Sequence, residues 1–129
     1  MNMHTALATV AAFAVGGVWY GPLFGKAWQA ELAMTPAQWA AASKVRLFAT
    51  SLVCEAIIAL LLRFALGFVF HSAAGTLLIA LIIALGFVVP TMVMNHNFAL
   101  KSGKLMAIDA GHWIAVFLTI GAVLAAFGT

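Results

Sequence analysis

Apolar residues run along this chain in four long blocks, and polar residues gather between them. A helix needs roughly 20 mainly apolar residues to cross the hydrocarbon layer of a membrane. The blocks extend from Met3 to Leu23, from Leu47 to Phe68, from Gly75 to Met94 and from Leu105 to Phe127. They lack the strict apolar–polar alternation that marks a membrane β-strand. The pattern therefore predicts an all-α fold, an integral membrane bundle of four transmembrane helices.

The first connection predicts two further helical segments. Residues 35–38, Thr-Pro-Ala-Gln, form a capping box with proline in the first turn, which marks the start of a helix. We expect that helix to continue into the second span. Residues 24–34 have the pattern of a short interfacial helix, because Trp28 and Leu32 lie one turn apart on its apolar side.

Composition supports this fold class. Hydrophobic residues make up 66% of the 129 residues and charged residues 7%, whereas a soluble chain is about half apolar and about a quarter charged. The lipid bilayer is therefore the predicted partner of most of the surface. The length fits a single transmembrane domain, residues 1–129, without a separate catalytic domain. One cysteine, Cys54, excludes an intrachain disulfide and a cysteine-cluster zinc site.

The positions of the basic residues predict the orientation in the membrane, because positive charges concentrate in cytoplasmic connections. The connections after the first and third spans hold Lys26, Lys44, Arg46, Lys101 and Lys104, and the opposite side has Arg63. We therefore expect both termini outside the cytoplasm.

The first span lacks the basic start of a signal peptide, so we expect a permanent helix. The net charge of +3 lies mostly in loops and does not indicate a nucleic acid partner.

Small residues repeat at helical spacing in two spans, where they favour close helix packing in lipid. The rows are Ala8, Ala12 and Gly16 in the first span and Ala107, Gly111 and Ala115 in the fourth. Four short helices bury little internal surface. We therefore expect a homo-oligomer, or packing against a partner membrane protein.

Polar side chains inside the apolar blocks are the candidate functional residues, because ionisable groups at bilayer depth are costly. At about 1.5 Å per residue, Glu55 lies about 12 Å inside the second span, and Asp109 and His112 lie about 6 and about 10 Å inside the fourth. The spacing of Asp109 and His112 puts them on one helix face. Asn95 and His96 close the third span at the same level. The sequence predicts one polar cluster near the cytoplasmic side.

Three interpretations of this cluster stay open. In the first, it is a proton-linked site for transport or small-ligand binding, with Glu55 as the charge carrier. In the second, its residues only join helices in a non-catalytic subunit or scaffold. In the third, His96, Asp109 and His112 bind a metal ion such as zinc, iron or manganese. No motif for a catalytic nucleophile or a phosphate-binding loop occurs in the sequence, so no catalytic residue or cofactor is predicted.

The end of the first span combines aromatic residues with proline and lysine. Pro22 lacks a backbone donor and is expected to break or kink the helix near Tyr20. The rings of Trp19, Tyr20 and Trp28 favour the headgroup level of a membrane. Lys26 suits contact with lipid phosphate. We expect structural anchoring here, with a headgroup or anion site as the alternative.

Three stretches carry a family resemblance. They are WYGPLFGKAW at 19–28, the pairs Gly86-Phe87 and Pro90-Thr91 leading to Asn95 and Phe98, and IDAG at 108–111. With these, the chain resembles the bacterial membrane family DUF1761, a domain of unknown function. The resemblance implies a four-span protein of the bacterial inner membrane. It implies no reaction, because the activity of the family is uncharacterised.

Overall fold

The computed structural model describes residues 2–68 and 72–128, which form helices joined by short turns. The helices are α1 (Met3–Val18), α2 (Gly25–Glu31), α3 (Pro36–Ala41), α4 (Lys44–Leu66), α5 (Ala73–Ile83), α6 (Val89–Phe98) and α7 (Gly103–Phe127). Two π-helical segments, Trp19–Leu23 and Ala84–Val88, follow α1 and α5 without a break.

Four continuous helical stretches are long and apolar enough to cross a membrane. They are Met3–Leu23, Lys44–Leu66, Ala73–Phe98 and Gly103–Phe127. The predicted all-α fold with four transmembrane helices and a short helix in the first connection is confirmed. The second span begins at Lys44 rather than Leu47, because the Ser43 side chain accepts a hydrogen bond from the Arg46 amide and caps a polar first turn.

The capping box at the start of α3 is present as predicted. The Thr35 hydroxyl accepts a hydrogen bond from the backbone N–H of Gln38 at 3.2 Å. The side-chain oxygen of Gln38 accepts one from the backbone N–H of Thr35 at 2.9 Å. The prediction that this helix continues into the second span is wrong. Ala42 is extended and Ser43 caps a new helix, so α3 and α4 are separate.

The α-helix of the first span ends at Val18, and Pro22 lies within the π-helical segment Trp19–Leu23 that continues it past Tyr20. A proline ring clashes with a backbone carbonyl one turn back in an α-helix, and a wider π turn gives it room. The chain leaves the helix at Phe24. Gly25 then brings α2 close to this segment, because a Cβ there would lie 2.5 Å from the Tyr20 carbonyl oxygen.

Helix α7 lies at the centre of the bundle and packs against α1 and α5, whereas α4 packs mainly against α1. The core includes the fully buried side chains of Val116, Ile120 and Leu124. Ala8 and Ala12 of α1 are also fully buried, as expected for a small-residue contact between helices. This packing brings polar residues of the π-helical segment Trp19–Leu23, α4, α6 and α7 towards one region of the bundle.

Candidate functional site

A chain of hydrogen bonds joins the π-helical segment Trp19–Leu23, α7 and α6 through Tyr20, Asp109 and His96. The Tyr20 hydroxyl donates to Asp109 Oδ1 at 2.6 Å. The other carboxyl oxygen, Oδ2, lies 2.7 Å from His96 Nε2. The side chains of His96 and Asp109 are 23% and 13% exposed, so this end of the chain lies close to the surface of the bundle.

The hydrogen-bond partners of His96 locate one proton in this chain. Its Nδ1 lies 3.1 Å from the Met92 carbonyl oxygen, which can only accept, so Nδ1 carries a hydrogen. Without a second proton, lone pairs of His96 Nε2 and Asp109 Oδ2 would face each other at 2.7 Å. A proton between the two groups would make them a charge-assisted pair.

Glu55 and His112 lie together on the inner side of the hydrogen-bonded chain formed by Tyr20, Asp109 and His96. Both side chains are buried, with 5% and 7% exposure, and both approach Gly16 of α1. A Cβ at Gly16 would lie 3.3 Å from His112 Nε2 and 3.8 Å from Glu55 Oε1. Within residues 2–68 and 72–128, neither ring nitrogen of His112 nor Glu55 Oε2 has a hydrogen-bond partner.

Aromatic rings surround His112 and connect the two groups of polar residues. The ring centroid of His112 lies 4.7 Å from that of Tyr20 and 5.2 Å from that of Trp113. Trp19 lies 6.4 Å away and donates its indole hydrogen to the Ile108 carbonyl oxygen at 3.0 Å. Tyr20 thus contacts His112 through its ring and Asp109 through its hydroxyl.

The structure therefore brings together some, but not all, of the residues that were predicted to form one polar cluster. Asp109 and His112 share a helix face and both contact Tyr20, and Glu55 approaches the same face beside Gly16. Asn95 is exposed and lies apart from them, in a groove of about 510 Å³ that His96 and Trp113 also line. It is His96, one position further along α6, that contacts Asp109.

The residues considered for a headgroup or anion site divide into two groups. Trp19 and Tyr20 donate hydrogen bonds to residues of α7, inside the bundle. Trp28 packs its ring 5.1 Å from the Tyr20 ring, between centroids. Lys26 is exposed on α2.

The third interpretation, a metal site at His96, Asp109 and His112, has no support from the geometry. Across the two described ranges of the chain, no three His, Cys, Asp or Glu side chains gather in a way that could hold a metal ion. Asp109 uses both its oxygens in hydrogen bonds to Tyr20 and His96.

A contact that the sequence did not reveal joins the two basic connections. The Ser102 hydroxyl donates to the Glu31 carboxylate, and Lys104 Nζ lies 3.4 Å from it. The hydrogen bond from Ser102, together with the charge of Lys104, lowers the pKa of the Glu31 carboxyl from its ordinary value of 4.5. Only the opposite signs of Glu31 and Lys104 hinted at this contact.

Four helices that are long and apolar enough to cross a membrane define the class of this chain as a multi-pass membrane protein. The family model described as "Protein of unknown function (DUF1761)" matches residues 3–125. The chain belongs to this family, as its motifs predicted. Comparisons with curated proteins and with solved structures give no significant match.

Proposed function

We propose that the protein is a small proton-linked transporter that binds a small ligand between Glu55 and His112, with Glu55 as the charge carrier. The observation that carries this proposal is the burial of unpartnered polar atoms on both residues, which lie in two helices long and apolar enough to cross a membrane. A buried polar group without a partner costs about 1–3 kcal/mol. A ligand that supplies the missing hydrogen bonds removes that cost.

The hydrogen-bonded chain of Tyr20, Asp109 and His96 supports a proton link. It begins at the Tyr20 ring, which packs on His112, and ends at His96, whose side chain is partly exposed. In the proposal, the His96–Asp109 pair takes up and releases protons at this exposed end, close to the inner site. A helix-joining role alone leaves the unpartnered atoms of Glu55 and His112 without an explanation.

We also propose a bacterial inner-membrane location, with both termini outside the cytoplasm. The basic residues of the first and third connections support this orientation. It can be tested with single cysteines in a Cys54→Ala background. A membrane-impermeant maleimide should label Ala73→Cys in intact cells, and Ala41→Cys only after permeabilisation. The reverse labelling pattern would contradict the orientation.

Proton flux into reconstituted vesicles tests the function. Vesicles that contain the protein and an internal pH dye should respond to an imposed pH gradient faster than empty vesicles. Glu55→Gln should reduce the rate to that of empty vesicles, because the amide has the shape of the acid but carries no exchangeable charge. If Glu55→Gln conducts like the wild type, the proposed function is wrong.

The chain offers a matched control for this experiment. Glu31→Gln makes the same chemical change at a carboxylate outside the spans, and it should leave the flux unchanged. Equal loss in both variants would mean that the flux depends on net charge rather than on the site. The folded state of each variant is checked by its thermal unfolding in detergent.

A further inference from the structure

The geometry points to a small cation with N–H donors, an ammonium ion or a primary amine, as the ligand that competes with the proton at Glu55. This inference rests on the proposed function, since it names the ligand class of the same site. It follows from the charge, the hydrogen-bonding capacity and the space offered by Glu55, His112 and Gly16.

Charge decides between a cation and an anion. In the described part of the chain, the two ion pairs are His96 with Asp109 and Lys104 with Glu31, and neither includes Glu55. Arg63 lies on the same helix, but eight residues along α4 correspond to about 12 Å. A desolvated carboxylate is unfavourable unless a positive group compensates it. The carboxyl group of Glu55 therefore favours a proton or another cation over an anion at this site.

Hydrogen-bonding capacity favours N–H donors over a bare metal ion. The free oxygen of Glu55 is an acceptor when the group is ionised, and neutral His112 has one acceptor nitrogen. Hard cations such as calcium require six to eight oxygen ligands, and the site has one carboxylate. An ammonium group instead needs a few acceptors, which can be oxygen or nitrogen atoms. The rings of Tyr20 and Trp19 lie near His112, with centroids 4.7 and 6.4 Å away.

The charged group would lie close to the α1 backbone. Glu55 Oε1 and His112 Nε2 both lie within 4 Å of the position that a Gly16 Cβ would take. A group that contacts both of these atoms lies against the α1 backbone at Gly16. An NH₃⁺ or NH₄⁺ group is small and has several N–H donors for acceptors of this kind.

The exchange at the site conserves charge. In the proton-loaded state Glu55 is a neutral carboxylic acid. Binding breaks its O–H bond, the proton leaves, and the ammonium group forms N–H···O hydrogen bonds to the resulting carboxylate. One cation enters for each proton released, so the buried site keeps the same net charge in both states.

Protection from a carbodiimide tests the ligand class. A hydrophobic carbodiimide reacts with protonated carboxyl groups in apolar surroundings, and mass spectrometry identifies the modified residue. We expect one adduct, at Glu55, in wild-type protein and in Glu31→Gln, and none in Glu55→Gln. Methylammonium chloride should slow this labelling several-fold, whereas sodium chloride of equal concentration should not.

A second measurement on the same protein follows the released proton. Methylammonium added to lightly buffered wild-type protein in detergent should acidify the solution by up to one proton per chain, and Glu55→Gln should abolish the release. His112→Leu should weaken protection while Glu55 still reacts, because one acceptor is lost. Equal protection by sodium would overturn the requirement for N–H donors.

The outcomes separate this inference from the proposed function. If Glu55→Gln abolishes proton flux but methylammonium neither protects Glu55 nor releases a proton, the ligand class is wrong and the transporter proposal stands. If Glu55→Gln leaves the flux unchanged, the proposed function fails regardless of the labelling result.

Discussion

The Tyr20 hydroxyl donates a hydrogen bond to Asp109 across 89 positions of sequence, at 2.6 Å. This contact fixes the π-helical end of the first span to the start of α7. It also orients Tyr20 so that its ring covers His112. The residue that the sequence suggested as an interfacial anchor is thus a link between the two groups of polar side chains.

Tyr20→Phe should destabilise the protein by about 0.6 to about 2 kcal/mol, the range for hydrogen bonds between helices within a membrane. The variant keeps the ring on His112 and removes only the donor to Asp109. Thermal unfolding in detergent measures the effect. Ser51→Ala is the control, because the Ser51 hydroxyl bonds to a carbonyl of its own helix. A loss as large in Ser51→Ala would contradict a special role for the Tyr20 contact.

His96 and Asn95 are neighbours with different surroundings, and their alanine variants should behave differently. His96→Ala removes the group that contacts Asp109 and should cost about 0.6 to about 2 kcal/mol. Asn95→Ala changes an exposed side chain and should stay within about 0.5 kcal/mol of the wild type. Unfolding midpoints in detergent provide the comparison. Equal midpoints for the two variants would show that the His96–Asp109 pair contributes nothing to stability.

Gly16→Ala should disturb the inner site, whereas Gly17→Ala should not. The new methyl group at Gly16 would lie 3.3 Å from His112 Nε2, and at Gly17 it would meet nothing within 4 Å. Overpacking typically costs about 1 to about 3 kcal/mol, so Gly16→Ala should be the less stable of the two. It should also change the rate at which a carbodiimide modifies Glu55. Identical stability and labelling in both variants would rule out close contact at Gly16.

The contact of Glu31 with Ser102 and Lys104 should make stability depend on pH in the acid range. The pKa of the folded carboxyl is lowered, so the contact stabilises the fold above the ordinary pKa of 4.5 and is lost as the pH falls through the lowered value. The difference in unfolding temperature between wild type and Glu31→Gln should therefore shrink in acid. A difference that stays constant with pH would contradict this assignment.

The hydropathy pattern was sufficient to predict the four spans, because crossing lipid requires long apolar helices whatever their packing. It was less reliable at their ends. A helix start such as Ser43–Arg46 depends on a cap rather than on hydropathy. The capping box identified the start of α3, but its end depends on the extended conformation of Ala42. No local signal in the sequence marked that residue.

Counting residues from the ends of the spans predicted that Asp109, His112 and Glu55 lie in one region, because the rise along a helix is fixed for each residue. Rotation about the helix axis does not follow from depth. Asn95 and His96 lie at nearly the same level, and only helix packing determines that His96 contacts Asp109 and Asn95 is exposed. For the same reason the sequence did not reveal the role of Tyr20. An aromatic residue near the end of a span is typical of an interfacial anchor, and the sequence does not show whether its side chain points into the bundle.

The close approach of Gly25 to the Tyr20 carbonyl oxygen has a mechanical consequence. Helix α2 rests on the backbone of the residue whose hydroxyl holds Asp109, with no side chain between them to absorb a displacement. An antibody fragment that tilts α2 from outside the bilayer would therefore pull on the Tyr20–Asp109 bond.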